Sequence, residues 1–221
     1  MRTALLAAIL PATTAWGTVV YSQPTTSVAG NVGFGFYSHS NARPQNNFKH
    51  ADNFILASDA TITDVSWWGM SSVRNFTNLN NFDTFTVQFY TAPGTPMLPG
   101  VLLSSQTFTR AATTPTDTGR RAPNNAIEYA QHATLPTPVS LTAGTPYFLS
   151  ISAHCLSTSG DAYLWQDADT VDGYSAMFSY ALQSWSDFTD TDSSFVLESV
   201  PAPGAAPVVV AAGFFAMRRR R

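Results

Sequence analysis

The chain has 221 residues, of which 11% are charged and 13% aromatic, and its formal net charge is −3 at pH 7. All 14 acidic residues but only six of the 11 basic ones lie between residues 16 and 204, so this part is more acidic than the whole chain. Such a balance excludes nucleic acid as a partner, because that partner needs a basic surface. The length suits one domain with short targeting segments, and the single cysteine, Cys155, excludes an internal disulfide.

The first 17 residues have the order of a secretory signal peptide. Arg2 precedes an apolar run over residues 4–10, and small residues follow up to Ala15. We therefore predict export, with a signal helix over residues 1–17 and cleavage after Ala15 or Gly17, both of which fit the small-residue rule. Residues 18–50 are predicted to form an N-terminal extension or an edge strand.

Between residues 51 and 199, short β-rich runs alternate with turns rich in glycine and proline. Within residues 85–90 the alternation places Phe85, Val87 and Phe89 on one face and polar groups on the other. No helical periodicity interrupts the pattern. The prediction is an all-β fold, namely a single β-sandwich or jelly-roll-like domain over residues 51–199. Residues 110–126 are predicted to be a long exposed loop.

No motif for catalysis stands out in this region. Gly-x-Ser-x-Gly and His-Glu-x-x-His are absent, and Glu128 has only distant aspartates as partners for a carboxylate pair. We therefore predict that the chain is not an enzyme.

One acidic segment is a candidate calcium site. Asp167, Asp169 and Asp172 supply oxygen ligands near the spacing of a calcium loop, and Gly173 follows them. The third acid and the glycine are each displaced from the EF-hand positions, so a plain solvated turn is the alternative. We expect no cofactor apart from this candidate structural calcium.

Aromatic side chains are the candidates for ligand binding, because sugar rings are recognised by exposed aromatic faces with polar groups around them. Adjacent residues of a strand point to opposite faces, so Trp67 and Trp68 cannot both fill the core from one strand. An exposed large aromatic would mark a binding site, whereas a buried one would be structural. The predicted glycan-binding residues are Trp68, Tyr90, Trp165 and Trp185.

The C-terminal segment, residues 200–221, has three parts in sequence. A proline-containing break comes first, an uncharged apolar run over residues 205–217 follows, and a basic cluster ends the chain. A helix of that apolar run would reach about 20 Å, short of a hydrocarbon core of about 30 Å. It would hold the end in the inner membrane transiently, with the basic cluster on the cytoplasmic side. The break is Val200, Pro201, Ala202, Pro203 and Gly204, and the basic cluster is Arg218, Arg219, Arg220 and Arg221.

This tail resembles the PEP-CTERM sorting domain of Gram-negative bacteria. The resemblance implies cleavage near the proline motif by an exosortase-type membrane protease, followed by delivery to the cell surface or the extracellular polysaccharide matrix. Ala202 stands where the family usually has glutamate, which leaves the identity of the protease open. Residues 51–199 are similar to a β-sandwich module of exported proteins that carry this tail.

Two functions follow as expectations. The first is a non-enzymatic surface or matrix protein associated with exopolysaccharide and sorted by its tail. The alternative is a carbohydrate-binding module that recognises a glycan through exposed aromatic residues.

Overall fold

The computed structural model describes residues 17–25, 35–40, 47–71, 79–94, 97–122, 125–155, 162–168, 173–189 and 191–199. Apart from Gly17, the predicted signal helix lies outside these residues, as does the predicted sorting tail. In the described part the chain is all-β, as predicted, with 3-10 geometry at Arg110–Thr113. No helix among the described residues is long and apolar enough to cross a membrane.

The described strands form two seven-stranded sheets. The first sheet contains β1 (Thr18–Gln23), β2 (Phe36–Tyr37), β5 (Ala60–Ser71), β8 (Thr116–Arg121), β9 (Ile127–Leu141), β11 (Tyr163–Trp165) and β14 (Phe195–Ser199). The second sheet contains β3 (His39–Ser40), β4 (Phe48–Ile55), β6 (Phe82–Thr91), β7 (Leu102–Thr109), β10 (Pro146–Cys155), β12 (Tyr174–Ser179) and β13 (Ser184–Thr189).

Strand β5 organises the first sheet. Along one edge it pairs with β14 and then with β11, and along the other edge it pairs with β9. Gln166, which follows β11, links β5 to the residue before β14. Its N–H donates to the Trp68 carbonyl, and its carbonyl accepts from the N–H of Ser194. The backbone of β5 is therefore paired on both sides.

Strand β10 lies at the centre of the second sheet, with β6 on one edge and β4 and β3 on the other. The sheet continues from β4 through β12 to β13, and from β6 to β7. Alternation along β4 sends His50, Asp52 and Phe54 to the inner face and Lys49 and Ala51 to the outer face. This alternation positions the candidate site described below.

One hydrophobic core draws its side chains from both sheets. Phe54 of the second sheet lies 5.9 Å from Phe195 of the first, measured between ring centroids, and Phe85 lies 5.9 Å from Trp67. These tilted and edge-to-face contacts are the arrangements that aromatic rings prefer. The aromatic residues at inward positions of the strands thus join the two sheets, as the period-two pattern requires.

The prediction of an exposed loop over residues 110–126 is wrong. Its middle forms β8, which pairs with β9 as an edge strand. Asp117 and Arg121 make an ion pair along β8 at 2.8 Å, and Gly119 adopts a φ of +80° between them. The polar, glycine-containing sequence is that of an exposed edge strand, which lacks the apolar alternation of a buried one.

Candidate functional site

The structure separates the four aromatic residues predicted to bind a glycan. Trp165 is fully buried, and its indole N–H donates to the carbonyl of Ser194 at 2.9 Å. Alternation along β11 turns Trp165 into the core beside Tyr163. The assignment of Trp165 as a glycan-binding residue is therefore wrong, because no face of its ring can meet a sugar.

Trp68 lies on the outer face of the first sheet and is half-buried. Its neighbour Trp67 is fully buried in the core, so the two adjacent indoles divide between the faces of β5. Trp68 thus has an accessible face, but it lies on the opposite side of the core from Tyr90 and Trp185.

Tyr90 and Trp185 do come together on the outer face of the second sheet. Their ring centroids are 5.7 Å apart at an interplanar angle of 78°. Phe178 lies 5.2 Å from Trp185, because β12 and β13 pair these two residues directly. Tyr90 is itself 6% exposed, so it offers no open ring face, whereas Phe178 and Trp185 are half-buried.

Lys49 joins these three rings into a single cluster. Its Nζ atom lies 4.9 Å from the ring centroid of Phe178, 5.0 Å from that of Trp185 and 5.3 Å from that of Tyr90. Such distances are within the range of a cation–π interaction. The same Nζ donates to Tyr90 Oη at 2.8 Å and to Gln88 Oε1 at 3.1 Å. We call Lys49, Gln88, Tyr90, Phe178 and Trp185 the Lys49 cluster.

The polar groups of the Lys49 cluster are oriented by one another. Tyr90 Oη accepts from Lys49 and donates to Gln88 Oε1 at 2.9 Å, and Gln88 Nε2 donates to Ser105 Oγ at 3.2 Å. Burial lowers the pKa of Lys49 to about 8, so the ammonium form still predominates at neutral pH. Burial also raises the pKa of Tyr90, which keeps its hydroxyl protonated and able to donate.

A small apolar layer adjoins the Lys49 cluster on the same face of the sheet. Ala51, Phe148 and Ala176 are fully buried there, and Met97 and Leu98 from the connection between β6 and β7 pack against the same layer. Alanine at two adjacent strand positions leaves room for the rings of Phe178 and Trp185 above the sheet. The cluster is therefore fixed on a rigid sheet rather than on a loop.

Sequence reasoning missed Lys49, Gln88 and Phe178. Lys49 is the chain's one lysine, and that rarity was the available signal. Its position opposite Phe178 depends on the pairing of β4 with β12, two strands that are more than 100 residues apart in the chain.

Three polar side chains on the outer face of the first sheet are of the residue types that form a hydrolytic triad. Ser66 Oγ is 3.1 Å from His132 Nδ1, and His132 Nε2 is 3.3 Å from Asp64 Oδ1, which also accepts from Thr134 Oγ1 at 2.6 Å. Ser66 and His132 are direct register partners, and the backbone N–H groups of β5 are engaged by strands on both sides. The backbone N–H groups of β5 beside Ser66 are therefore used in strand pairing, and the side chains form a cross-strand polar network.

Only one residue of the candidate calcium site, Asp167, lies within the described part of the chain. Asp167 is half-buried, and burial raises its pKa to about 7. Asp169 and Asp172 lie outside the described residues. Within the described ranges there is no group of three histidine, cysteine or acidic side chains that could hold a metal ion. The calcium site stays a prediction.

The contacts of Glu128 among the described residues are with a hydroxyl and a guanidinium group, not with a second carboxylate. Its side chain is fully buried, where Thr118 Oγ1 donates to Oε2 at 2.8 Å and Arg120 Nε lies 3.4 Å away. Burial raises the pKa of this carboxyl group. Glu128 thus holds β8 against β9.

Among solved structures, the chain is similar to a CocE/NonD family hydrolase from Staphylococcus aureus. The match has a TM-score of 0.28 and 8% sequence identity, and it covers 83% of this chain and 41% of the hydrolase. Our expectation that the chain is not an enzyme is contradicted by this match and is withdrawn. A likeness of this size carries no argument about a particular reaction.

No protein of curated function matches the chain. A family model described as a domain of unknown function, DUF7901, matches residues 19–198. This range covers all the strands from β1 to β14 except Thr18, the first residue of β1, and Ser199, the last residue of β14. It therefore includes the Lys49 cluster. The chain therefore belongs to the DUF7901 family.

Proposed function

We propose that this protein is exported and binds a glycan through the Lys49 cluster, at the cell surface or in the extracellular polysaccharide matrix. The observation that carries the proposal is the convergence of one ammonium group, one amide and two half-buried aromatic rings on a single sheet face. Binding sites for small molecules combine apolar lining with a few placed polar groups. A sugar presents both kinds of surface, namely C–H faces and hydroxyl groups.

Each member of the cluster has a distinct task in this proposal. The half-buried rings of Trp185 and Phe178 receive the apolar face of a sugar ring. Lys49, whose Nζ atom lies over those rings, and Gln88, which is hydrogen-bonded to it, provide a charged group and an amide group for hydroxyl oxygens of the same sugar. Tyr90 positions both polar groups through its own hydroxyl.

The proposed architecture is a β-sandwich, in which the two seven-stranded sheets face each other across the shared aromatic core. The outer face of the second sheet is then a rigid platform. Rigid support lowers the ordering cost of binding, because the polar groups are already in place.

Substitution of Trp185 by alanine tests this function. The protein is screened against a glycan array, and hits are measured by isothermal titration calorimetry. We expect Trp185→Ala to weaken binding at least tenfold, because it removes the stacking surface. Trp68→Ala is the matched control, since Trp68 is equally half-buried but lies on the other sheet. Equal affinity of wild type and Trp185→Ala would contradict the proposal.

The sorting route is proposed from the sequence of the tail. Its support is the order of the proline break at Pro201 and Pro203, the apolar run and the four terminal arginines. The proposed partners are an exosortase-type protease and, transiently, the inner membrane. Mass spectrometry of the mature protein from its native host is the test. We expect a C-terminus near Pro201, and a mature chain that still ends at Arg221 would overturn the route. Replacing the four arginines by serine should leave the protein mislocalised.

A further inference from the structure

The charge of Lys49 has no acidic partner in the described part of the chain. Its polar contacts are Tyr90 Oη and Gln88 Oε1, both neutral, and its other neighbours are three aromatic rings. Two other cations behave differently, since Arg120 lies against Glu128 and Arg121 against Asp117. Lys49 is thus a half-buried cation surrounded by neutral groups.

An ammonium group carries three N–H donors. Two of them are used by Tyr90 and Gln88, and the third meets no acceptor among the described residues. A cation taken partly out of water without a carboxylate costs free energy. The lowered pKa of Lys49 reflects the same cost. An anion bound beside Lys49 would supply the absent acceptor and offset the cost.

We propose that the ligand of the Lys49 cluster is an anionic sugar unit of an acidic polysaccharide, whose acidic group accepts the third N–H of Lys49 while its ring lies on Trp185. This inference rests on the proposed glycan-binding function and narrows it to one class of sugar. A hydrogen bond between an ammonium and an anionic oxygen is about twice as strong as a neutral one. Phe178 and Trp185 shield that contact from water and so strengthen it.

Non-specific attraction does not account for such binding. The chain has more acidic than basic residues and a formal net charge of −3, so its long-range field opposes a polyanion. Selectivity for an acidic sugar must therefore come from contacts at Lys49.

The test compares acidic polymers with their neutral counterparts. Binding of the wild-type protein to alginate and to carboxyl-reduced alginate, and to dextran sulfate and dextran, is measured by affinity electrophoresis at fixed ionic strength. We expect at least a tenfold preference for one acidic polymer over its neutral form, and the pair that shows it identifies the acidic group as carboxylate or sulfate. Equal binding of acidic and neutral forms overturns the anionic-sugar inference alone. Absence of binding to every glycan, here and on the array, overturns the proposed function as well.

Two substitutions assign the preference to Lys49. Lys49→Met keeps an unbranched side chain, one atom shorter than that of lysine, and removes its charge, so we expect the preference to fall at least tenfold. Arg110→Met is the matched control, because it removes one positive charge from a half-buried site at the 3-10 turn. Loss of the preference in both variants would mean that total charge, not the cluster, governs binding, and would overturn the inference. The comparison of polymers with the wild-type protein remains decisive if Lys49→Met does not fold.

Discussion

The hydroxyl end of the Tyr163 side chain lies against Gly69, so close that it leaves no room for a Cβ at this position. That hydroxyl accepts from Trp67 Nε1 at 3.0 Å and from Gln131 Nε2 at 2.7 Å. Glycine in the interior of a strand often marks a place where another group approaches the backbone closely. Here it leaves room for a hydrogen-bonded aromatic side chain within the core.

Replacement of Gly69 by alanine should destabilise the fold. The new methyl group would meet the Tyr163 ring and, on the other side, the backbone carbonyl of Leu164, neither of which can move away easily. Overpacking of this kind costs about 1–3 kcal/mol. Urea denaturation measures the free energy of unfolding. Thr61→Ala, an exposed change on the same strand, is the control and should alter that free energy by about 0.5 kcal/mol or less.

Tyr163→Phe tests the hydrogen bonds themselves. The substitution keeps the ring beside Gly69 but leaves the indole of Trp67 and the amide of Gln131 without their buried acceptor. Unsatisfied buried donors cost about 1–3 kcal/mol each, so we expect a clear fall in the urea midpoint with an unchanged slope. A midpoint equal to that of the wild type would show that other acceptors replace the hydroxyl.

Asp167 is expected to make stability depend on pH in an unusual direction. Burial raises its pKa from 3.8 to about 7, so the folded state holds the proton more tightly than the unfolded state does. The stabilisation is complete below about pH 4 and is lost as the pH rises through about 7. Asp167→Asn mimics the protonated form, and its melting temperature should exceed that of the wild type most clearly at pH 8.

The calcium prediction can be examined with the same pair of proteins. A cation at Asp167 would favour the ionised carboxylate and so reverse the effect of burial. If calcium binds there, the wild type at pH 8 melts at a higher temperature in calcium than in EDTA, and Asp167→Asn does not. Identical melting curves of the wild type in both solutions would contradict the prediction that calcium binds to this segment.

The all-β fold could be predicted because its cause is local. The alternation of Phe85, Val87 and Phe89 along β6 depends only on the two-residue period of a strand, and all three are buried as that period requires. Strand β8 was missed because the segment around Asp117 and Arg121 carries no apolar alternation. It becomes a strand only through its pairing with β9.

The candidate site could be predicted only in part, because it is assembled from distant strands. Tyr90 and Trp185 were found from their residue type alone, and the same criterion selected Trp165, which is buried. Whether an aromatic side chain faces the core depends on the register of its strand, and register is not a local property. Lys49 was not predicted to belong to the site, because its role depends on contacts with side chains of other strands, above all Phe178.

His50 should make the protein sensitive to acid. It is fully buried on the inner face of β4, its ring stacks on Phe36 with centroids 4.5 Å apart, and neither ring nitrogen has a hydrogen-bond partner within the described residues. Trp165 meets the ring edge-on, and Asp52, two residues further along the same face, is already bonded to Gln23. The imidazole is therefore held in its neutral form.

Burial lowers the pKa of His50 from 6.5 to about 3, so the unfolded state binds the proton more readily than the folded state. The free energy of unfolding should accordingly fall as the pH drops from about 6.5 towards 3. His50→Phe keeps a ring against Phe36 and removes the titrating group, so its free energy of unfolding should fall less over that range. His154→Gln is the control, because His154 is exposed beside Asp83, and its pH profile should stay close to that of the wild type. Parallel pH profiles of the wild type and His50→Phe would contradict this account, because they would mean that His50 takes up no more protons on unfolding than phenylalanine does.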